Sequence, residues 1–306
     1  MIDFEHLINL QLEIFILMLI GYFISKMKII TPEVRKGLTD LVINIILPAN
    51  IIKSFMIDLD ITVIISSSLI FIISLILQIF CHLFSNKLFF KVNEKQKSVL
   101  NYATLCSNAG FMGNPVVQEI YGDQGLLLAS IFLIPQRIVM WSAGISCFTN
   151  EKGKNALKKV MTHPCIIAVF IGVLIMITQL SFPQFVVKTI DVLSQCTTAL
   201  SMLVIGSILS EINIKSVISK LSLYYSFIRL VFIPLLVLIS CIIFKVPYLV
   251  TAVSVVLAGM PAGTTTAILA EKYNGDSKLA VRLVFISTLL SLFTIPMLCL
   301  LVNTVL

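Results

Sequence analysis

The feature that most constrains this chain is a succession of apolar stretches, each about 20 residues long, joined by short polar connections. That is the length a helix needs to cross the hydrocarbon core of a bilayer. Only 12% of the 306 residues are charged and 58% are hydrophobic, whereas a soluble domain carries about 25% charged residues. The chain therefore reads as an all-α polytopic membrane protein in contact with lipid, with no room for a sizeable soluble domain. Ten transmembrane helices are expected, at residues 7–25, 36–55, 61–85, 98–120, 125–148, 164–182, 184–210, 217–243, 248–271 and 277–303. The opening segment, MIDFEHLINL, lacks the basic region and small-residue cleavage site of a secretory signal, so the first span reads as permanent.

The net charge of +7 is a topology signal. Of the 22 basic residues, all but Lys53, Arg137, Lys188, Arg229 and Lys245 follow odd-numbered spans. The positive-inside rule makes those loops cytoplasmic and puts both termini outside the cell membrane. Charge spread in this way is not a nucleic-acid footprint. The seven cysteines are scattered and mostly within spans, which argues against a disulfide framework. His6, His82 and His163 lie far apart, so no metal-ligand spacing is visible and no cofactor is expected.

The chain also repeats itself. The segment PVVQEIYGDQGLLLASIF (115–132) is similar to AILAEKYNGDSKLAVRLVF (267–285), with Glu119 matching Glu271 and Tyr121 matching Tyr273. Asp40 in span 2 matches Asp191 in span 7 at a nearly equal offset. Two five-helix repeats follow: residues 1–148, then a cytoplasmic linker at 149–163, then 164–306. Because five is odd, the second repeat must be inverted relative to the first. Inverted repeats are typical of secondary transporters, whose substrate site lies near the midplane between the halves.

Spans 4 and 9, which are repeat mates, each carry a breaking point. Span 4 contains SNAGFMGNP (107–115) and span 9 contains AGMPAGTTT (258–266). Proline lacks a backbone N–H and clashes with the preceding turn, while glycine permits unwound backbone. Such backbone is tolerated at depth only where it is buried in protein or lines a cavity. The sequence predicts half-helices beginning near Asn114 and Pro115, and near Gly263, Thr264 and Thr265. Their free N–H groups and dipole ends would converge on an anion such as a carboxylate. The candidate binding set is Asn108, Gly110, Gly113, Asn114, Pro115, Arg137, Pro261, Gly263, Thr264 and Thr265. Arg137 enters because its fork of donors suits a carboxylate and it lies mid-span beside the break.

Glu119, Glu271 and Asp191 are candidates for coupling or gating, against the reading of the two glutamates as solvated helix ends. Asn50, Asp191, Gln195, Thr197 and Thr198 are candidates for lining the scaffold side of the same site, or serve as interhelical glue. Lys53 and Arg229 receive no role.

The stretches SNAGFMGNPVV, VVLAGMPAGTTTAILAEKY, NIILPANIIKSF and HPCIIAVFIGVLI resemble signatures of the auxin efflux carrier family and its prokaryotic permease relatives. The resemblance covers essentially the whole chain. It implies two inverted five-helix repeats in which helices 4 and 9 are interrupted and cross at the substrate site. It further implies a transport domain (helices 3–5 and 8–10) moving against a scaffold (helices 1, 2, 6 and 7), and a fold related to bile acid–sodium symporters. Prokaryotic members are linked to organic acids such as malate or malonate. This chain departs from the family pattern at Ala199, where a proline matching Pro48 would stand. It also lacks the long loop of the plant carriers, which speaks against auxin itself.

The expected function is secondary transport of small organic anions, mono- or dicarboxylates, by alternating access. A homodimer is compatible with it. A receptor that binds a small organic acid without moving it is the reading from another class, and a sodium-coupled symporter is the variant within the carrier class. An intramembrane enzyme is not supported, since no Gly-x-Ser-Gly or Gly-x-Gly-Asp site and no phosphate loop occurs.

Overall fold

A computed structural model describes residues 4–56, 61–144, 146–148, 162, 164–210, 219–263, 265–273 and 275–306. The helices are α1 (Phe4–Lys26), α2 (Pro32–Ser54), α3 (Ile61–Leu88), α4 (Glu94–Leu105), α5 (Asn114–Val139) and α6 (Pro164–Thr178). They continue with α7 (Gln184–Leu209), α8 (Lys220–Ile243), α9 (Tyr248–Ala258), α10 (Thr265–Lys272) and α11 (Ser277–Val305). Among the described residues there is no strand, only one isolated bridge. Helices α2, α3, α7, α8 and α11 are long and apolar enough to cross a membrane, and α6, α9 and the stretch Phe15–Lys26 are shorter apolar helices. The expected linker, 149–163, falls outside the described residues apart from Thr162.

Helix α3 shows what solvent the outer surface meets. Ile72, Ile76, Ile79 and Leu83, spaced by three and four residues, are exposed, while Ser74, Gln78 and Ser85 are buried. An arrangement with apolar side chains outward and polar ones inward is costly in water and favourable in lipid. The inward polar groups then tie helices together: Ser74 Oγ donates to the Phe132 carbonyl of α5 at 2.6 Å.

Three helical paths are widened in the same way. Five-residue π turns at Val42–Ile46, Ala109–Gly113 and Ile228–Phe232 each end two residues before a proline, namely Pro48, Pro115 and Pro234. A proline inside a helix removes one N–H and pushes its ring onto the carbonyl four residues back, and an extra residue in that turn relieves the clash. Helix α7, with Ala199 in place of a proline, runs unbroken. The expected spans 4 and 5 are joined by a one-residue break rather than a longer loop. Within α5 the backbone at Gly122, with φ of 66° and ψ of −162°, is non-helical, so two helices meet there across a sharp kink, at the place where span 4 is expected to give way to span 5.

Packing falls into two groups. In the first, α1 lies along α7, and α2 packs on both α6 and α7. Gly21 and Gly206 let α1 and α7 approach backbone to backbone, since a Cβ on either would run into the main chain of Leu203 or Met18. Lys53 Nζ meets Asp191 Oδ1 at 2.8 Å, and Ser194 Oγ donates to Asn50 Oδ1 at 2.6 Å, so polar contacts also join α2 to α7. In the second group, α3 packs on α4 and α5, α9 on α5, α8 and α11, and α10 on α11. The groups touch where α2 and α6 meet α5, where α1 meets α11, and where α7 meets the π turn at Ala109–Gly113.

Candidate functional site

The two breaking points meet each other. Helix α4 ends at Leu105, with extended backbone at Cys106, and α9 ends at Ala258, followed by a turn at Gly259. Ser107 and Ala262 form an antiparallel bridge there. The Asn108 N–H donates to the Pro261 carbonyl at 2.8 Å, and the Gly263 N–H donates to the Cys106 carbonyl at 3.0 Å. Backbone that leaves a helix in an apolar interior must find partners, and each break supplies the other's. Gly263 is required by this approach, because a Cβ would lie 2.9 Å from the Cys106 carbonyl oxygen. A third element braces the crossing: the Ala262 N–H donates to Ser287 Oγ of α11 at 3.0 Å.

Side chains of α5 and α10 close the structure. Ser107 Oγ donates to Gln136 Oε1 at 3.0 Å, while Gln136 Nε2 donates to the Ser107 carbonyl at 2.9 Å. Tyr102 OH donates to Thr265 Oγ1 at 3.1 Å, which links α4 to the start of α10. Beside these pairs is a cavity of about 240 Å³ lined by Tyr102, Ser107, Asn108, Gly110, Gln136, Arg137, Gly263 and Thr265, with an apolar wall that includes Ile43, Leu47, Leu133 and Cys165. That is below the 300–1,000 Å³ of drug-sized ligand sites, and it combines apolar walls with a few polar groups as such sites do.

Of the sequence-predicted binding set, the structure brings Asn108, Gly110, Arg137, Gly263 and Thr265 to this cavity. Arg137 is 9% exposed, and its Nη2 lies 3.2 Å from where a Cβ on Gly110 would stand. Asn108 Nδ2 is buried with no partner among the described residues.

Gly113, Asn114, Pro115 and Pro261 are not among the lining residues. Gly113 instead packs on Leu257 and Met260 of the other broken span. Thr264 lies outside the described residues.

The expected start of the first half-helix near Asn114 and Pro115 is corrected. The helix begins at Ala109, with Asn108 as its N-cap residue, and the Asn114 N–H is already bonded to the Ala109 carbonyl. Pro115 is accommodated by the π turn and does not begin the helix, so the first-turn amides are those of Ala109, Gly110 and Phe111. Asn114 is fully buried away from the cavity, and neither of its amide atoms has a partner among the described residues.

On the α2 and α6 side, the wall is Ile43, Leu47 and Cys165, in place of the expected Asn50, Asp191, Gln195, Thr197 and Thr198. Asp191 is paired with Lys53, Glu119 is exposed, and the Glu271 side chain lies outside the described residues. Among the described residues, no group of three His, Cys, Asp or Glu is placed to hold a metal ion.

Contributors that were not among the sequence candidates include Ser107, Ser287, Gln136, Tyr102 and Arg229. Gln136 had a signal, being a polar residue at depth next to Arg137 in IPQR. Tyr102 had none. Arg229 is buried, with Nε donating to the Met260 carbonyl at 3.0 Å and Nη1 to the Thr104 carbonyl at 3.1 Å.

Residues 6–299 match the family described as membrane transport protein. An uncharacterized transporter of Methanocaldococcus jannaschii is 26% identical over 94% of this chain and 96% of its own length. One from Methanothermobacter thermautotrophicus is 26% identical over 94% and 95% of the two chains. The uncharacterized transporter YfdV of Escherichia coli is 22% identical over 94% of each. With the family match running over nearly the whole sequence, this chain belongs to the membrane transport protein family, the group of the auxin efflux carriers that its motifs resemble.

Proposed function

We propose that this protein is a secondary transporter of small organic anions, mono- or dicarboxylates, working by alternating access. The observation that carries the reading is the convergence on one cavity of the first-turn amides after Asn108, the start of α10 and the Arg137 guanidinium. Helix N-termini and an arginine fork all favour negative charge, and oriented N–H groups fit a carboxylate. Asn108, Gln136 and Thr265 supply hydrogen bonds around it, and Leu47 and Leu133 suit a short carbon skeleton.

The two packing groups support a division into moving parts. The α1, α2, α6 and α7 group is the scaffold, and the group holding the crossover is the transport unit. The ten spans form two inverted repeats in the cytoplasmic membrane, with both termini outside. Under that topology, Cys165 at the start of α6, Met140 after α5 and Leu269 in α10 are on the cytoplasmic side, so the cavity belongs to an inward-open state.

The test is electrical. Purified protein in liposomes on a solid support would be offered malate, malonate, succinate, lactate and indole-3-acetate. Saturable current or tracer uptake for a carboxylate, lost in Arg137→Ala, is expected. Binding of a carboxylate with neither current nor tracer flux would mean a receptor and would sink the carrier reading.

A further inference from the structure

Arg229 lies in the π turn of α8, 2% exposed, and no carboxylate among the described residues pairs with it. A cation at such depth needs compensation. It comes from two carbonyls, Thr104 at 3.1 Å and Met260 at 3.0 Å. One belongs to the last turn of α4, and the other lies just past the end of α9. The C-terminal end of a helix carries roughly −0.5 charge, so two such ends offer about −1, a match for one guanidinium. Tyr225, one turn earlier in α8, adds a donor to the Ala103 carbonyl at 2.8 Å.

The crossover is thereby divided electrically. The positive starts of the second half-helices face the cavity, and the negative ends of the first half-helices face Arg229. In carriers with broken helices, the carbonyl ends of half-helices are where a coupling cation such as sodium is coordinated. The geometry points to Arg229 as a tethered cation standing in that place. The space between the ends of α4 and α9 then takes no dissociable alkali cation, and transport does not use sodium there. The consequence for coupling rests on the carrier reading; the charge substitution does not.

The experiment is thermal unfolding of the purified full chain in choline, sodium or millimolar guanidinium chloride, for the wild type, Arg229→Gln and Arg229→Lys. The wild type and Arg229→Lys should unfold at the same temperature in sodium as in choline. Arg229→Gln should unfold roughly 5–10 °C lower in choline, through lost charge-assisted bonds, and regain part of that in sodium or guanidinium. Stabilisation of the wild type by sodium, or a glutamine variant indifferent to all cations, would overturn the inference. Should the glutamine variant fail to fold, sodium indifference in both other proteins supports the inference and a sodium response in either refutes it. Flux into liposomes, compared in sodium and choline, should be equal for the wild type. No flux at all would remove the carrier reading and leave the thermal result standing.

Discussion

The pairing of Ser107 with Gln136 ties the first broken span to α5, and its worth can be worked out. Gln136→Leu keeps the side chain's approximate volume and removes two bonds, at 3.0 Å and 2.9 Å. Interhelical hydrogen bonds in a membrane average about 0.6 kcal/mol each, and a buried group left unpaired costs about 1–3 kcal/mol. The substitution should therefore cost about 1–3 kcal/mol, a drop of roughly 2–10 °C in the unfolding temperature. Ser107→Ala removes only the hydroxyl bond and should cost about 1 kcal/mol. Because both changes break the same contact, the double variant should be less impaired than the sum, with a coupling energy of about 0.6–1.7 kcal/mol. The assay is a double-mutant cycle on unfolding temperature and on carboxylate KM. Additivity to within about 0.3 kcal/mol would refute the claim that these side chains hold the crossover to α5.

Other substitutions give distinct outcomes. Arg137→Ala should raise the carboxylate KM by roughly 10–150-fold, the worth of a charge-assisted hydrogen bond; unchanged KM would remove Arg137 from the site. Gly206→Leu should separate α1 from α7 and cost about 1–3 kcal/mol or block accumulation, whereas Gly37→Leu, with no heavy atom within 4 Å of the added Cβ, should cost far less. Lys53→Ala and Asp191→Asn break a partly exposed pair worth about 0–1 kcal/mol, so transport should persist in both. An altered proton dependence of flux in Asp191→Asn would instead make Asp191 a coupling residue.

Local sequence is enough to set the solvent and the places where helices break. Runs of about 20 apolar residues admit little besides membrane helices, and glycine with proline disrupts a helix through its own covalent geometry. These are local effects, so SNAGFMGNP and AGMPAGTTT announce themselves without a partner in view. Gly263 and Asn108 could be marked for the same reason.

What a broken backbone bonds to is decided across the fold. The start of the first half-helix moved from Asn114 to Ala109 because Asn108 pairs with Pro261, more than 150 positions away in the chain. Proline alone could not say whether it begins a helix or sits beyond a widened turn. Gln136, Tyr102 and Arg229 acquired their places from carbonyls and hydroxyls on other helices, which no spacing along the chain records. Asp191 and Lys53, each unpaired when read along the sequence, neutralise one another because α2 and α7 lie side by side. Apolar patterning is a one-body property of each segment, set by its own contact with lipid. Satisfying buried polar groups is a many-body one, settled only when the segments pack.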